Sequence, residues 1–288
     1  MDKNLLQRLV FGFLYGLVVI LCTTPLGAEY IGKIFPDIRQ SQLYFGLMAF
    51  FVAAGTWECV KVMKFSNSWE RFVVFPLAAY VFYIFSKRYF AHGFYYNFNL
   101  SDILSLFLVL IIVVTLFRFK HELRFDSGKL IFTVIYVALT FGFALGLPKF
   151  NSSGEFTLEA FMLFVLIWAS DSFAYFSGRL FGKHKMAPTI SPKKTWEGFA
   201  GGVVLTLIFA YFIEDYYTDL RGNWMVVGFL VSIFAPLGDL VESQLKRIFG
   251  VKDSGNIIPG HGGILDRLDS FIICAPVVYL YFILDKFI

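Results

Sequence analysis

The feature that most constrains this chain is a succession of long apolar runs separated by short polar links. Nine runs stand out, at roughly 8–25, 43–63, 72–90, 101–117, 130–148, 157–178, 198–213, 224–243 and 264–285. Each approaches the ~20 residues that a helix needs to cross a bilayer. None alternates polar and apolar residues as the strands of a membrane barrel would. A soluble alternative fails on composition. Hydrophobic residues make up 58% and charged residues 16%, against about 25% charged in an ordinary soluble domain. One core could not hide that much apolar surface. An aromatic share of 20% also excludes a disordered chain. The expected fold is all-α: a polytopic integral membrane protein of about nine transmembrane helices.

Basic residues orient the bundle. With the N-terminus inside, most of the 25 Lys and Arg fall in inner segments, among them Lys61, Arg118, Lys193, Lys194, Lys246 and Arg247. This places the N-terminus in the cytoplasm and the C-terminus outside. Lys3 and Arg8 ahead of an apolar run also resemble a signal peptide, but no clear small-x-small site precedes Pro25, so the first span is expected to stay. By chemistry the chain divides in two. Residues 1–150 are apolar membrane helices (spans 1–5), with Glu58 the main polar exception, assigned to a structural role beside Lys61. Residues 151–288 (spans 6–9) carry acids within spans and two polar inner loops, as expected of the catalytic part. Cys22, Cys59 and Cys274 stand singly and form no metal or disulfide pattern. A net charge of +4 gives no reason to expect nucleic acid as a partner.

A charge within a span costs at least about 2.5–3.5 kcal/mol, so it marks function by default. Asp171, Asp239, Asp266 and Asp269 all fall in the inner halves of their spans. Asp266 and Asp269, three apart, share a helix face, as do Asp239, Ser243 and Lys246. Aspartates converging from different helices suit a hard divalent cation, above all Mg²⁺, which takes one or two carboxylates together with waters and substrate phosphates. The bland alternative is that these acids form structural ion pairs with nearby Arg or Lys.

Two inner loops supply the complementary chemistry. Gly178 to Lys183 superficially suggests a phosphate loop but is one residue short and has His184 in place of Ser or Thr. Further on, Ser191-Pro192 starts a turn, Lys193 and Lys194 offer point charges to phosphates, and Thr195, Trp196 and Glu197 lead into the next helix. The second loop holds Lys252-Asp253 and the run Pro259-Gly260-His261-Gly262-Gly263. Its glycines leave backbone N–H groups open at a helix N-terminus, a ready anion site. His261 could touch phosphate, move a proton or serve as a cap. Cations, backbone donors and metal-type acids together suit phosphoryl or nucleotidyl transfer.

At these residues the chain resembles the phosphatidate cytidylyltransferase (CDP-diacylglycerol synthase) family. The signature is matched at Ser243, Lys246, Arg247, Lys252, Asp253, Pro259, His261, Gly262, Gly263, Asp266, Arg267 and Asp269. An upstream element fits at Asp171–Tyr175, Gly178, Phe181-Gly182-Lys183 and 191–198. The resemblance implies CTP and phosphatidic acid as substrates, CDP-diacylglycerol and pyrophosphate as products, and a homodimer with its site open to the cytoplasm in the inner membrane. It implies Mg²⁺ at Asp239 and Asp266, with a second monovalent or divalent cation as an open alternative. On this reading Asp239, Asp266, Asp269 and Lys246 are catalytic. Lys193, Lys194, Thr195, Glu197, Ser243, Arg247, Lys252, His261, Gly262, Gly263, Arg267 and Asp171 bind substrate. The alternatives are another CTP-dependent membrane lipid enzyme, such as an archaeol-type cytidylyltransferase or a lipid-alcohol kinase, and an ion-coupled transporter.

Overall fold

The structure is a computed structural model that describes residues 3–91, 100–118, 122–148, 156–260 and 262–285. The elements in chain order are α1 (Lys3–Thr23), α2 (Leu26–Ile31), α3 (Gln40–Met63), α4 (Ser68–Ala91), α5 (Leu100–Arg118), α6 (Asp126–Thr133), α7 (Thr140–Ala144), α8 (Glu159–Phe181), β1 (Lys185–Ala187), β2 (Ser191–Thr195), α9 (Trp196–Tyr216), α10 (Trp224–Ile248) and α11 (Leu265–Leu284). One π-helical stretch, Val134–Leu139, joins α6 to α7. All nine apolar runs fall on helices, so the protein is an α-helical, polytopic integral membrane protein. Among the described residues, seven helical stretches are long and apolar enough to cross a membrane: α3, α4, α6 through α7, α8, α9, α10 and α11. The runs on α1 and α5 are helical but not among the seven; the apolar part of α1, Leu9–Thr23, is shorter.

Local chemistry sets where several helices begin. Thr195 caps α9 by accepting from Gly198 N at 3.2 Å, and Asn223 caps α10 by accepting from Val226 N at 3.0 Å. Each satisfies a donor that the first helical turn leaves open. At the start of α6, Asp126 accepts from Asn67 N and from Lys129 Nζ at 2.6 Å, while Lys129 also reaches Lys64 O at 3.1 Å. These bonds tie α6 to the link between α3 and α4.

The stretch from Asp126 to Ala144 and helix α11 are the most enclosed, 72% and 67% buried, while α4 and α9 are 22% and 28% buried. The former make the centre and the latter the rim. Rim side chains such as Phe72, Tyr80, Ile208 and Phe212 are exposed, which water would penalise and lipid does not. Ring contacts run through the centre from Phe51 to Phe141, Phe271 and Phe164, the last two stacked at 4.2 Å. Helices from both halves of the sequence therefore share one core. In the link between α9 and α10, Arg221 donates to Gly146 O and Leu147 O and stacks 4.2 Å over Phe282, joining the segment after α7 to α11.

Candidate active site

α8 packs along α9, α9 on α10 and α10 on α11. Small residues permit these approaches, as is common between membrane helices. A Cβ on Gly238 would lie 2.5 Å from Asp269 O and 2.8 Å from Ser270 Cα, so α10 and α11 touch backbone to backbone there. Ser270 Oγ closes the contact by donating to Ala235 O at 2.9 Å. Asp239 follows Gly238 directly, so the contact that joins the helices also brings Asp239 to Asp269.

A cavity of about 770 Å³ opens beside this contact, and Asp171, Asp239, Asp266 and Asp269 all line it. Lys193, Lys194, Thr195 and Arg267 line it too. The acids of three helices and the lysines of the first loop thus meet in one space, although the loop and α11 lie some seventy positions apart in sequence.

Each of two acids meets a lysine. Lys194 Nζ lies 2.7 Å from Asp239 Oδ2 and donates to Pro236 O at 2.8 Å. Asp239 Oδ1 accepts from Ser243 Oγ at 3.2 Å, which realises the shared face read from spacing. Lys246 is buried between Glu242 Oε2 and Asp266 Oδ1, both at 2.6 Å. Asp266 Oδ2 accepts from Ser254 N at 2.9 Å, Ser254 Oγ at 3.0 Å and Gly263 N at 2.8 Å. The ion-pair alternative is thus realised for these two acids, with Lys194 and Lys246 as partners. Asp269 Oδ1 accepts from Ser270 N at 2.7 Å, and Asp269 lines the cavity together with Asp171 and Asp239.

The first loop is a two-stranded antiparallel hairpin in which Lys185 pairs with Thr195 and Ala187 with Ser191. Glu197 faces its base rather than the cavity: the carboxylate accepts from Lys183 N at 2.9 Å and from His184 N, and meets the His184 ring. Arg247 reaches the hairpin turn from the other side at Ile190 O, 3.4 Å away. Among the residues predicted to bind substrate, Glu197 and Arg247 therefore hold the hairpin in shape, Ser243 supports Asp239, and Lys252 is exposed. Gly262, at φ +87°, wraps the second loop around Asp266. His261 lies outside the described residues.

The donor chemistry suits Mg²⁺. Asp239 and Asp266 offer oxygen ligands on adjoining helices. Among the described residues no three His, Cys, Asp or Glu side chains form a set that could hold a metal alone.

Sequence reasoning missed two contributions. Phe11, Gly12, Tyr15 and Gly16 of α1 form part of the cavity wall. Glu58 of α3 does not pair with Lys61, whose ammonium sits 4.8 Å from the Trp57 ring centre. Glu58 is fully buried and bonds to the start of α11. No local signal marks that contact, since its partners lie about two hundred residues on.

The fold and site define a membrane-embedded enzyme whose acids and lysines converge on one cavity of a helical bundle. The model of the cytidylyltransferase family matches residues 8–284, and the chain belongs to that family. It is 42% identical over 188 residues to the phosphatidate cytidylyltransferase of Bacillus subtilis (strain 168), covering 64% of this chain and 68% of the relative. It is 40% identical over 190 residues to that of Staphylococcus haemolyticus (strain JCSC1435), covering 65% and 70%.

Proposed function

We propose that this protein transfers the cytidylyl group of CTP to phosphatidic acid, giving CDP-diacylglycerol and pyrophosphate for phospholipid biosynthesis. The observation that carries this is the composition of the cavity wall. Lys193 and Lys194 stand on the polar hairpin, Asp171, Asp239, Asp266 and Asp269 on three helices, and Phe11 and Tyr15 on an apolar helix. A triphosphate needs the first group, nucleotidyl transfer the second, and an acyl-bearing acceptor the third. The names of the similar bacterial proteins support the same reading.

In the reaction an oxygen of the phosphatidate phosphate forms a bond to the α-phosphorus of CTP. The bridging bond to the β-phosphate breaks, and its electron pair leaves with pyrophosphate. The acceptor is already an anion near neutral pH, so the site needs no strong base. Its task is to place two anions together and offset the charge that develops. Lys193 and Lys194 project from the hairpin to hold the triphosphate. Lys246 is locked between Glu242 and Asp266 and fixes the orientation of Asp266. Asp239 and Asp266 would hold Mg²⁺, which when bound neutralises phosphate oxygens. Asp171 and Asp269 complete the acidic wall.

The basic bias of the predicted inner segments supports an N-terminus and a cavity on the cytoplasmic side of the inner membrane, where CTP is found. A homodimer and nine crossings belong to the same proposal, as does the division into a supporting part, 1–150, and a catalytic part, 151–288. Acceptor competition tests the reading. With labelled CTP and a choice of phosphatidate, an archaeol phosphate and a lipid alcohol, label is expected on phosphatidate; preferential labelling of either rival would replace the proposed substrate.

A further inference from the structure

We infer that Glu58, in the N-terminal half of the chain, is a positioning residue for the catalytic carboxylate Asp266; this rests on the functional reading above. Helix α11 begins without a local cap, because Ile264 stands at the N-cap and offers no side-chain acceptor. Such a helix start leaves backbone donors that must find partners when buried. Glu58 supplies them from α3. Its Oε1 accepts from Ile264 N at 2.9 Å and its Oε2 from Leu265 N at 2.9 Å. The positive end of the helix in turn offsets a carboxylate with no exposed surface.

The same carboxylate is joined to the site. Ser254 Oγ lies 3.1 Å from Glu58 Oε2 and 3.0 Å from Asp266 Oδ2, so one hydroxyl bridges the two acids. Gly255 and Gly263 make room: a Cβ on Gly255 would lie 2.5 Å from Glu58 Oε1, and one on Gly263 would lie 2.5 Å from Oε2. Asp266 is the second residue of α11, so whatever fixes the first turn fixes Asp266. A continuous chain of contacts then runs from Glu58 through Ser254 and Asp266 to Lys246 and Glu242. It gives α3 a part in placing the Asp266 carboxylate at the cavity wall.

The test is the kinetics of purified Glu58→Gln in lipid micelles, with thermal unfolding measured alongside. Gln keeps the size but presents an amide N–H₂ to one of the backbone donors. A folded variant is expected to show a raised KM for CTP and a fall in kcat, together about 10- to 100-fold in kcat/KM, the usual effect of losing a group that orients a ligand-bearing side chain. Glu58→Asp, with the charge kept but the reach shortened, should recover part of this. Unchanged kinetics in folded Glu58→Gln would overturn the inference. So would a fall in Vmax at unchanged KM that equals the unfolded fraction of the sample, which reports only fewer folded molecules. If Glu58→Gln does not fold, Ser254→Ala decides, since it removes only the bridging hydroxyl: a raised KM for CTP supports the inference and an unchanged one overturns it. Absence of lipid-linked product from the wild-type protein would instead count against the functional reading.

Discussion

Lys194 Nζ lies 2.7 Å from Asp239 Oδ2, an ion pair that joins the second strand of the hairpin, near its base, to α10. It places an ammonium at the acidic wall of the cavity, where Lys194 also donates to Pro236 O at 2.8 Å. Lys194→Met should lower kcat by about 10²–10³-fold, the range for losing one group that stabilises developing charge. Unfolding temperature should hardly change, because the pair is partly exposed. Lys194→Arg should not restore the rate, since a planar fork does not replace a compact ammonium. Steady-state rates at saturating phosphatidate check both.

Asp266→Asn should abolish turnover and keep the fold. Lys246 would retain Glu242 as its counter-charge, so no buried lysine is left alone. Weaker bonds to Lys246, Ser254 and Gly263 should cost about 1.5–3 kcal/mol of stability, as for hydrogen bonds to a charged group. Activity and thermal unfolding on one preparation separate the two effects. Wild-type turnover in folded Asp266→Asn would remove Asp266 from the reaction.

Gly238→Ala should damage both stability and activity. The added methyl would meet backbone atoms of α11 at Asp269 and Ser270, which cannot rotate away. Overpacking of this kind costs about 1–3 kcal/mol. It would also part Asp239 from Asp269. A drop in unfolding temperature together with a loss of kcat is expected; a fully stable, fully active variant would show that the helices do not meet here.

Gly16→Leu probes the wall formed by α1. Gly16 lines the cavity, and a Cβ there meets nothing within 4 Å. The larger side chain should leave stability unchanged and raise the KM for phosphatidate severalfold, with the KM for CTP little altered. An equal effect on both substrates would mean that this wall does not face the lipid.

Much of this was legible in the sequence, and what was not has a common cause. The apolar runs report helices because a span must satisfy its own backbone bonds, and all nine runs fall on helices. Asp171, Asp239, Asp266 and Asp269 announced themselves as costly charges, and they share a cavity. The face carrying Asp239 and Ser243 followed from helical spacing. Glu58 and the α1 wall were not legible, because their partners are set by packing between helices far apart in the chain. Spacing could give Glu58 a neighbour in Lys61, but not the direction in which its carboxylate turns. Glu197 shows the same limit. It lies within the recognisable motif, yet it binds the backbone at Lys183 and His184 instead of the cavity. Sequence pattern marks which residues matter, while contact decides what each one holds.

The central claim is that this cavity joins CTP to phosphatidate, and its most direct test is a product measurement. Purified protein in lipid micelles would be given phosphatidate, Mg²⁺ and CTP labelled at the α-phosphate. The expected result is lipid-linked CMP formed in step with pyrophosphate, lost on chelation and restored by added Mg²⁺. Pyrophosphate release without labelled lipid, or no consumption of CTP at all, would contradict the account.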